Sequence, residues 1–345
     1  MRTLLPALVI TLAAATASAQ QGLTTPQASP AASVSQTVGL TKMEVVYHRP
    51  AVDKRKIWGG LVPYGEVWRA GANENSTVTF SSPVKVQGKP LAAGTYGLHA
   101  LPTEKDWTII FSKMSVAWGS FSYDEKEDAL RVKVTPRPMA AAQERMGYTF
   151  DDPTDKTVTL ALRWEKLEVP IAIEVDTPQV VMASMRDELR GLPRFGAPGW
   201  NQAARYWVNN GGNLDEATKM IDQSIGIAEG YQNLTTKGMI LAKKGDTKGA
   251  AAANARALEI ATEADLNQRG YELVAQKKVD EAIAVFKKNV EAHPQSWNAH
   301  DSLAEALALK GDTQGAIASY SQALALVKNP EQKTRIEKTL ARLKK

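Results

Sequence analysis

The stretch Gly311-Asp312-Thr313-Gln314-Gly315-Ala316 decides the fold of the C-terminal half, because it nearly repeats Gly245-Asp246-Thr247-Lys248-Gly249-Ala250. In each copy, a turn and a helix-capping aspartate precede an alanine that lets two helices approach closely. Ala217 and Ala282 occupy the same place in two weaker copies, so the spacings are 33, 32 and 34 residues. Such a period predicts stacked helical hairpins, because one hairpin cannot bury its apolar stripe alone.

These repeats resemble the tetratricopeptide family. Gly238 and Gly270 match its first helices, and Phe286 and Tyr320 match its second helices. The resemblance implies an α-solenoid that docks a protein or peptide on a concave face lined by first-helix residues. The Lys/Asn clamp with which some members hold a C-terminal carboxylate is not present. Carried over by position, the candidate partner-binding residues are Tyr206, Asn209, Met239, Lys243, Asn267, Tyr271, Asn298, Asp301 and Glu305.

The N-terminal half has a different hydrophobic period. Apolar and polar residues alternate from Thr77 to Phe80 and from Thr157 to Trp164. Alternation with period two predicts strands that bury one face, and turn signals separate them. Short strands at this spacing predict an all-β sandwich or a jelly-roll-like domain. Residues Met139 to Met146 are expected to form a helical turn or an excursion from the sheets.

One segment of this half lacks any sustained period and is dense in Arg, Trp, Tyr, Gly and acidic residues. It is a candidate binding loop, in which aromatic rings stack on a ligand and Arg or Asn fixes polar groups. The alternative is an internal network, in which Arg69 pairs with Glu74 and the tryptophans plug the end of the sandwich. The ligand-binding candidates are Tyr47, Arg49, Arg55, Trp58, Tyr64, Trp68, Arg69, Asn73, Glu74 and His99.

The same segment resembles the domain of unknown function 2911 family. A Tyr-x-Arg-Pro strand at 47–50 is followed by Leu-Val-Pro-Tyr-Gly-x-Val-Trp-Arg-x-Gly-Ala-Asn-Glu at 61–74. Gly94-Thr95-Tyr96 and Trp118-Gly119 fit as well, and the resemblance extends from about Ser33 to Val175. It implies a fold and an exported location, but it supplies no reaction.

The N-terminus predicts export. Arg2, an apolar run from Leu4 to Ala15, and Ala17-Ser18-Ala19 are typical of a signal peptide cleaved after Ala19. The run is shorter than the roughly 20 residues that a membrane span needs, so a periplasmic or secreted protein is expected. The sequence predicts a signal peptide at 1–19, a disordered leader at 20–33, the β domain at 34–176, a linker at 177–198 in which Val180 to Leu189 is compatible with a helix, and repeats with a capping helix at 199–345.

Composition excludes several function classes. The chain has no cysteine, so it has no disulfides, thiolate metal sites or cysteine nucleophiles. Its net charge of +5 is not accompanied by aromatic residues beside a basic stripe, so nucleic acid is not an expected partner. No nucleophile motif of the Gly-x-Ser-x-Gly type occurs. No cofactor or metal is expected.

The sequence leaves two functional hypotheses. The first is an exported, non-catalytic binding or scaffold protein, whose β domain binds a small ligand or glycan and whose repeats dock a partner. The alternative is a periplasmic hydrolase of sugars or peptides that uses Glu74 with His48 or His99.

Overall fold

The computed structural model describes residues 25–344. The predicted signal peptide and the first part of the predicted leader lie outside the described residues. Contacts divide the chain into two compact units, with the boundary between Thr177 and Pro178. The first unit is built from strands and the second from helices, which confirms the predicted fold class of a β domain followed by an α-solenoid.

Within the part of the first unit that the structure describes there are ten strands. They are β1 (Ala31–Val38), β2 (Thr41–His48), β3 (Ser76–Phe80), β4 (Val84–Val86), β5 (Lys89–Leu91), β6 (Gly94–Leu101), β7 (Trp107–Ser112), β8 (Asp128–Val134), β9 (Arg137–Asp151) and β10 (Thr157–Glu174). Six of them form an antiparallel sheet in the order β1-β2-β3-β6-β7-β8, and four form a second in the order β5-β4-β10-β9. The alternation that predicted strands is visible in β2, where buried and exposed residues follow one another from Thr41 to Tyr47.

The N-terminal unit differs from the sequence prediction in two places. Strand β1 begins at Ala31, earlier than the boundary at residue 34, and pairs with β2 along its whole length. The stretch from Met139 to Met146 is strand and not a helical turn. It belongs to β9, which pairs with β10 through two register shifts. Such irregularities disturb the alternation of side chains, and this is why the period-two signal fails there.

Up to residue 344, the second unit contains ten α-helices, the first of which begins one residue before the unit boundary. They are α1 (Thr177–Glu188), α2 (Ala197–Asn209), α3 (Leu214–Ile227), α4 (Tyr231–Lys243), α5 (Thr247–Ile260), α6 (Glu263–Ala275), α7 (Val279–Ala292), α8 (Trp297–Lys310), α9 (Thr313–Leu326) and α10 (Pro330–Leu343). Helices α2 to α9 form four antiparallel hairpins, α2/α3, α4/α5, α6/α7 and α8/α9. We refer to them as hairpins 1 to 4.

The hairpins have the local structure that the repeat predicted. The anchoring alanines Ala217, Ala250, Ala282 and Ala316 are all buried, each near the start of a second helix. The aspartates at 246 and 312 accept hydrogen bonds from the amides of Gly249 and Gly315 and so cap α5 and α9.

Within the expected linker, the sequence is compatible with a helix from Val180 to Leu189, and the structure has a helix there. Helix α1 covers the first part of this linker, and a short 3₁₀ turn follows at Leu192–Phe195. Met182 of α1 is buried against the hairpin 1 core, which includes Trp207. This part of the chain is therefore packed onto the repeats. Within residues 25–344, no helix combines the length and the apolar character needed to cross a bilayer.

Candidate functional site

Four tryptophans pack together in the β unit, and two of them are ligand-binding candidates from the sequence. Trp58 lies 4.8 Å from Trp107 and 5.7 Å from Trp164 between ring centroids, with the rings edge to face. Trp68 stacks on Trp164 at 6.0 Å. Trp107 belongs to the six-stranded sheet and Trp164 to the four-stranded sheet, and each is only 1% exposed. Trp58 and Trp68 therefore help to close the core between the sheets.

The segment that follows Trp68 is held in an unusual backbone conformation. Ala70 and Asn73 both have a positive φ, of 48° and 57°. The carbonyl oxygen of Ala70 accepts hydrogen bonds from the hydroxyls of Ser76, at 2.9 Å, and Tyr148, at 2.8 Å. Left-handed backbone at a residue other than glycine costs about 1–3 kcal/mol and persists only where surrounding contacts impose it. The segment is thus rigidly fixed.

Arg69 is positioned by this rigid segment and is not paired with Glu74. Its Nη1 donates to the carbonyl oxygen of Asn73 at 2.9 Å, and its guanidinium lies 5.9 Å from the centroid of the Phe121 ring. Among the described residues, Arg69 forms no salt bridge. The internal Arg69–Glu74 pair considered from the sequence is therefore wrong, and Arg69 keeps a charge without a neighbouring carboxylate.

Glu74 contacts a histidine. Its Oε2 lies 3.4 Å from Nδ1 of His48, and the carboxylate side chain is about half exposed. The sequence considered both His48 and His99 as partners of Glu74. The structure brings His48 to it, whereas His99 contacts a different loop. The described residues contain no group of three or more ligating side chains arranged to hold a metal ion.

Three of the remaining candidates, Tyr47, Arg49 and Arg55, form hydrogen bonds with main-chain groups. Arg49 donates to the carbonyl of Met146 at 2.9 Å, and Arg55 donates to that of Val52 at 3.1 Å. The hydroxyl of Tyr47 accepts from the amide of Tyr148 at 3.1 Å. These contacts tie the strand ends and the basic loop together. Tyr64 is exposed, and its ring lies beside Gly59.

His99 is buried in β6, with only 3% of its surface exposed. Its Nδ1 lies 2.9 Å from Oγ of Ser120, and its ring packs 5.4 Å from that of Tyr123. Burial lowers the pKa of His99 to about 4, so the imidazole is neutral near pH 7. No carboxylate within residues 25–344 forms a salt bridge with this imidazole, so a serine–histidine–acid triad is not assembled here.

The loop at residues 113–124 was missed as a site by the sequence analysis. We name it the aromatic loop, because it displays Trp118 at 60% and Phe121 at 86% exposure. Its base is tied down by the Ser120–His99 contact and by a hydrogen bond of 3.0 Å from the amide of Ala117 to Oδ1 of Asn75. The loop is thus anchored while its large apolar side chains face solvent.

Gly119 explains how the aromatic loop meets Arg69. Its φ is +73°, and any side chain there would collide with the Arg69 guanidinium and approach the Phe121 ring. Only glycine satisfies both conditions at low cost. The sequence identifies Trp118-Gly119 only as part of the family resemblance, and the proximity of Gly119 to Arg69 is visible only in the structure.

At the C-terminal end of the repeats, the predicted partner-binding residues are engaged with one another. Tyr271 donates to Glu305 at 2.7 Å, and Arg335 of α10 pairs with Asp301 at 2.7 Å and with Glu305 at 3.7 Å. Asp301 is buried, and this burial raises its pKa even though Arg335 acts in the opposite direction. Asn298 donates to Glu263 at 3.2 Å. The polar side chains at this end of the first-helix lining therefore have hydrogen-bond and ion-pair partners within the repeats.

The N-terminal end of the lining is more open. Lys243 donates to the carbonyl of Val208, Tyr206 packs against the hairpin 1 core, and Asn209 is exposed. Met239 borders a cavity of about 570 Å³ between hairpins 2 and 3. Asn267 of α6 has a buried Oδ1 that no described group bonds. Of these lining residues, Met239 is the one that borders the cavity.

The fold defines the class as a two-sheet β domain joined to an array of helical hairpins. Residues 29–173 match the family model described as "Protein of unknown function (DUF2911)", and residues 267–331 match a tetratricopeptide repeat model. Both resemblances stated from the sequence are thereby confirmed. No curated protein matches the chain.

Several solved structures are similar to part of this chain. One is YrrB, "a TPR protein with an unusual peptide-binding site", at 20% identity over 47% of this chain and 84% of that chain, with a TM-score of 0.27. Another is MamA from Desulfovibrio magneticus RS-1, at 18% identity over 43% and 82%, with a TM-score of 0.27. A third is pilF of Pseudomonas aeruginosa, at 16% identity over 43% and 67%, with a TM-score of 0.27. TM-scores this low carry no argument about function.

Proposed function

We propose that this chain is an exported, non-catalytic binding protein. Its tetratricopeptide repeats support a role in protein–protein interaction. Its β domain binds a second ligand, and the chain brings the two together as a scaffold. Export is supported by the charged, apolar and small-residue pattern of the first 19 residues.

One observation carries the β-domain part of the proposal. Trp118 and Phe121 are exposed on an anchored loop, and Phe121 lies against Arg69, which has no carboxylate partner among the described residues. Exposed aromatic rings in a fixed position offer flat apolar faces without a further loss of conformational entropy. A cationic fork beside them donates hydrogen bonds to hydroxyl or carboxylate oxygens. A glycan fits this combination of surfaces.

The experiment is a glycan-array screen of the mature full-length chain, followed by titration of each glycan that binds. Trp118→Ala and Phe121→Ala should each weaken binding by about 0.5–1.5 kcal/mol, the usual value of an aromatic contact that is lost. Val116→Ala is the matched control, because Val116 is as exposed as Phe121 in the same loop but has no ring. Glycan affinity that is unchanged in both ring variants would contradict the proposed site.

The export part has its own measurement. Native protein should be recovered outside the cytoplasm, with an N-terminus at Gln20. Recovery of a chain that still begins at Met1 would contradict it.

A further inference from the structure

The four hairpins carry different residues at one equivalent position of the repeat. This position lies four residues after each anchoring alanine and holds Ile221, Asn254, Phe286 and Tyr320 in turn. Three of the four side chains are large, apolar or aromatic, and buried. Asn254 is exposed. Hairpin 2 therefore lacks the bulky side chain that its three sister hairpins carry.

Hairpin 3 shows what that side chain does. Phe286 of α7 lies over Gly270 of α6 so closely that a side chain at Gly270 would overlap the ring. The ring is completely buried and belongs to a core that also contains Leu273 and Leu303. The aromatic side chain thus fills the space between the two helices of its hairpin and reaches the next hairpin.

Hairpin 2 has a glycine equivalent to Gly270, namely Gly238, but it has no aromatic ring equivalent to Phe286. Asn254 lies against Gly238, in the place that Phe286 takes against Gly270. Helix α5 is also rich in alanine, so its side chains are short. As a result, α5 packs on α4 but makes few contacts with α6 or α7, whereas α3 packs on α4 and α7 packs on α8.

A cavity of about 570 Å³ occupies the space that this leaves between hairpins 2 and 3. Its volume lies in the range of ligand pockets, about 300–1,000 Å³. Met239, Leu258, Leu273 and Val285 supply apolar surface, and Asn254 forms part of the wall.

Polar and charged groups also line the cavity. Arg205 and Arg269 bring positive charge, and Asp265 and Glu272 bring negative charge. Tyr231 lies within reach of all four of these charges, and its pKa is raised, mainly by burial. An apolar interior with charges of both signs suits a peptide, whose side chain enters the interior while its polar main chain meets the lining groups.

We propose that the cavity between hairpins 2 and 3 accepts an aromatic side chain from a peptide segment of the partner. The partner's ring occupies the space beside Asn254 that the short asparagine leaves open, where hairpins 3 and 4 have the larger side chains of Phe286 and Tyr320. This inference rests on the proposed function of the repeats as a docking module, and it adds the location and the side chain recognised.

The experiment selects binders to the full-length chain from a displayed library of random peptides. The selected peptides should share an aromatic residue, and its replacement by alanine should weaken binding at least tenfold. Asn254→Phe fills the cavity from α5 with the residue that hairpin 3 uses, and it should weaken the same peptides at least tenfold. Ala284→Phe fills it from α7 and should have the same effect.

Lys287→Phe is the matched control, because it adds the same ring to an exposed position of α7 outside the cavity lining. It should leave peptide affinity within about twofold. Thermal melts followed by helical circular dichroism check the fold of each variant. If Asn254→Phe does not fold, Ala284→Phe decides the question.

The possible failures are distinguishable. Peptides without an aromatic residue, or peptides whose affinity neither cavity-filling variant changes, would overturn the cavity as their site and leave the repeats as a docking module. If no peptide is selected, both the docking function of the repeats and this inference fail.

Discussion

The tryptophan cluster and the aromatic loop contain the same kinds of residue and use them in opposite ways. Trp107 and Trp164 are buried between the two sheets, and Trp58 and Trp68 pack on them. Trp118 and Phe121 face solvent from a loop that is tied down at its base. Composition alone cannot separate the two arrangements. What separates them is whether a strand on the opposite sheet presents a partner for the ring.

The strongest test of this comparison is Trp107→Ala. Its ring contacts both Trp58 and Trp68, so its removal leaves a cavity in the centre of the cluster. Removal of a fully buried tryptophan costs about 3–5 kcal/mol in the free energy of unfolding. Thermal melts of the full chain, followed by the β-sheet signal, should show an early transition of the β unit. A loss below about 1 kcal/mol would mean that the cluster does not hold the sheets together.

The second test concerns the link between the aromatic loop and the sheet, through His99. In the unfolded chain His99 takes up a proton near its usual pKa of 6.5, whereas the folded protein does so only near 4. Between pH 6.5 and pH 4, unfolding is therefore accompanied by uptake of a proton. The contribution of His99 to stability is complete above about pH 6.5 and is lost as the pH falls towards 4. The shift corresponds to about 3 kcal/mol.

Denaturant unfolding of the wild type and of His99→Gln across this pH range measures how much His99 contributes to the pH dependence of the free energy of unfolding. The glutamine removes the titrating group, so the loss of stability towards pH 4 should be smaller in the variant by about 3 kcal/mol. Equal slopes in the two proteins would show that His99 titrates alike in the folded and unfolded states.

A smaller effect is expected from Arg69, which lies beside the loop. Arg69→Ala removes one charged hydrogen bond to a carbonyl and should cost about 1.5–2 kcal/mol. Glu74→Gln should cost below about 1 kcal/mol, because its carboxylate is half exposed. Since the two side chains are not paired, the double variant should be additive within about 0.5 kcal/mol. Recovery of stability in the double variant would instead support the internal Arg69–Glu74 ion pair that the sequence suggested.

The fold was largely predictable, because it depends on hydrophobic periods. The period of two located strands such as β3, and the spacing of Ala217, Ala250, Ala282 and Ala316 located the second helices. Both signals are local and survive without knowledge of the tertiary structure. The signal failed in β9, where register shifts against β10 removed the alternation, whereas α1 largely coincides with the stretch from Val180 to Leu189 that was compatible with a helix.

The candidate site was less predictable, because it depends on which distant residues meet. Arg69 was correctly singled out, but its neighbour in space is Phe121 and not Glu74. The tryptophans were grouped with it because they are close in sequence, yet Trp58 and Trp68 contact Trp107 and Trp164, which lie far along the chain. Sequence proximity identified the segment but did not give the direction of its side chains.

The smallest expected effect on stability is also the most informative about the loop. Trp118→Ala should change the free energy of unfolding by no more than about 0.5 kcal/mol, because the ring is 60% exposed. Its circular dichroism spectrum and melting curve should superimpose on those of the wild type, in contrast to Trp107→Ala. A destabilisation of about 2 kcal/mol or more would place Trp118 in a buried contact and make the loop a structural element like the tryptophan cluster. A protein that keeps its stability but loses glycan binding would show that the exposed ring is retained for recognition, because its removal then affects the bound state alone.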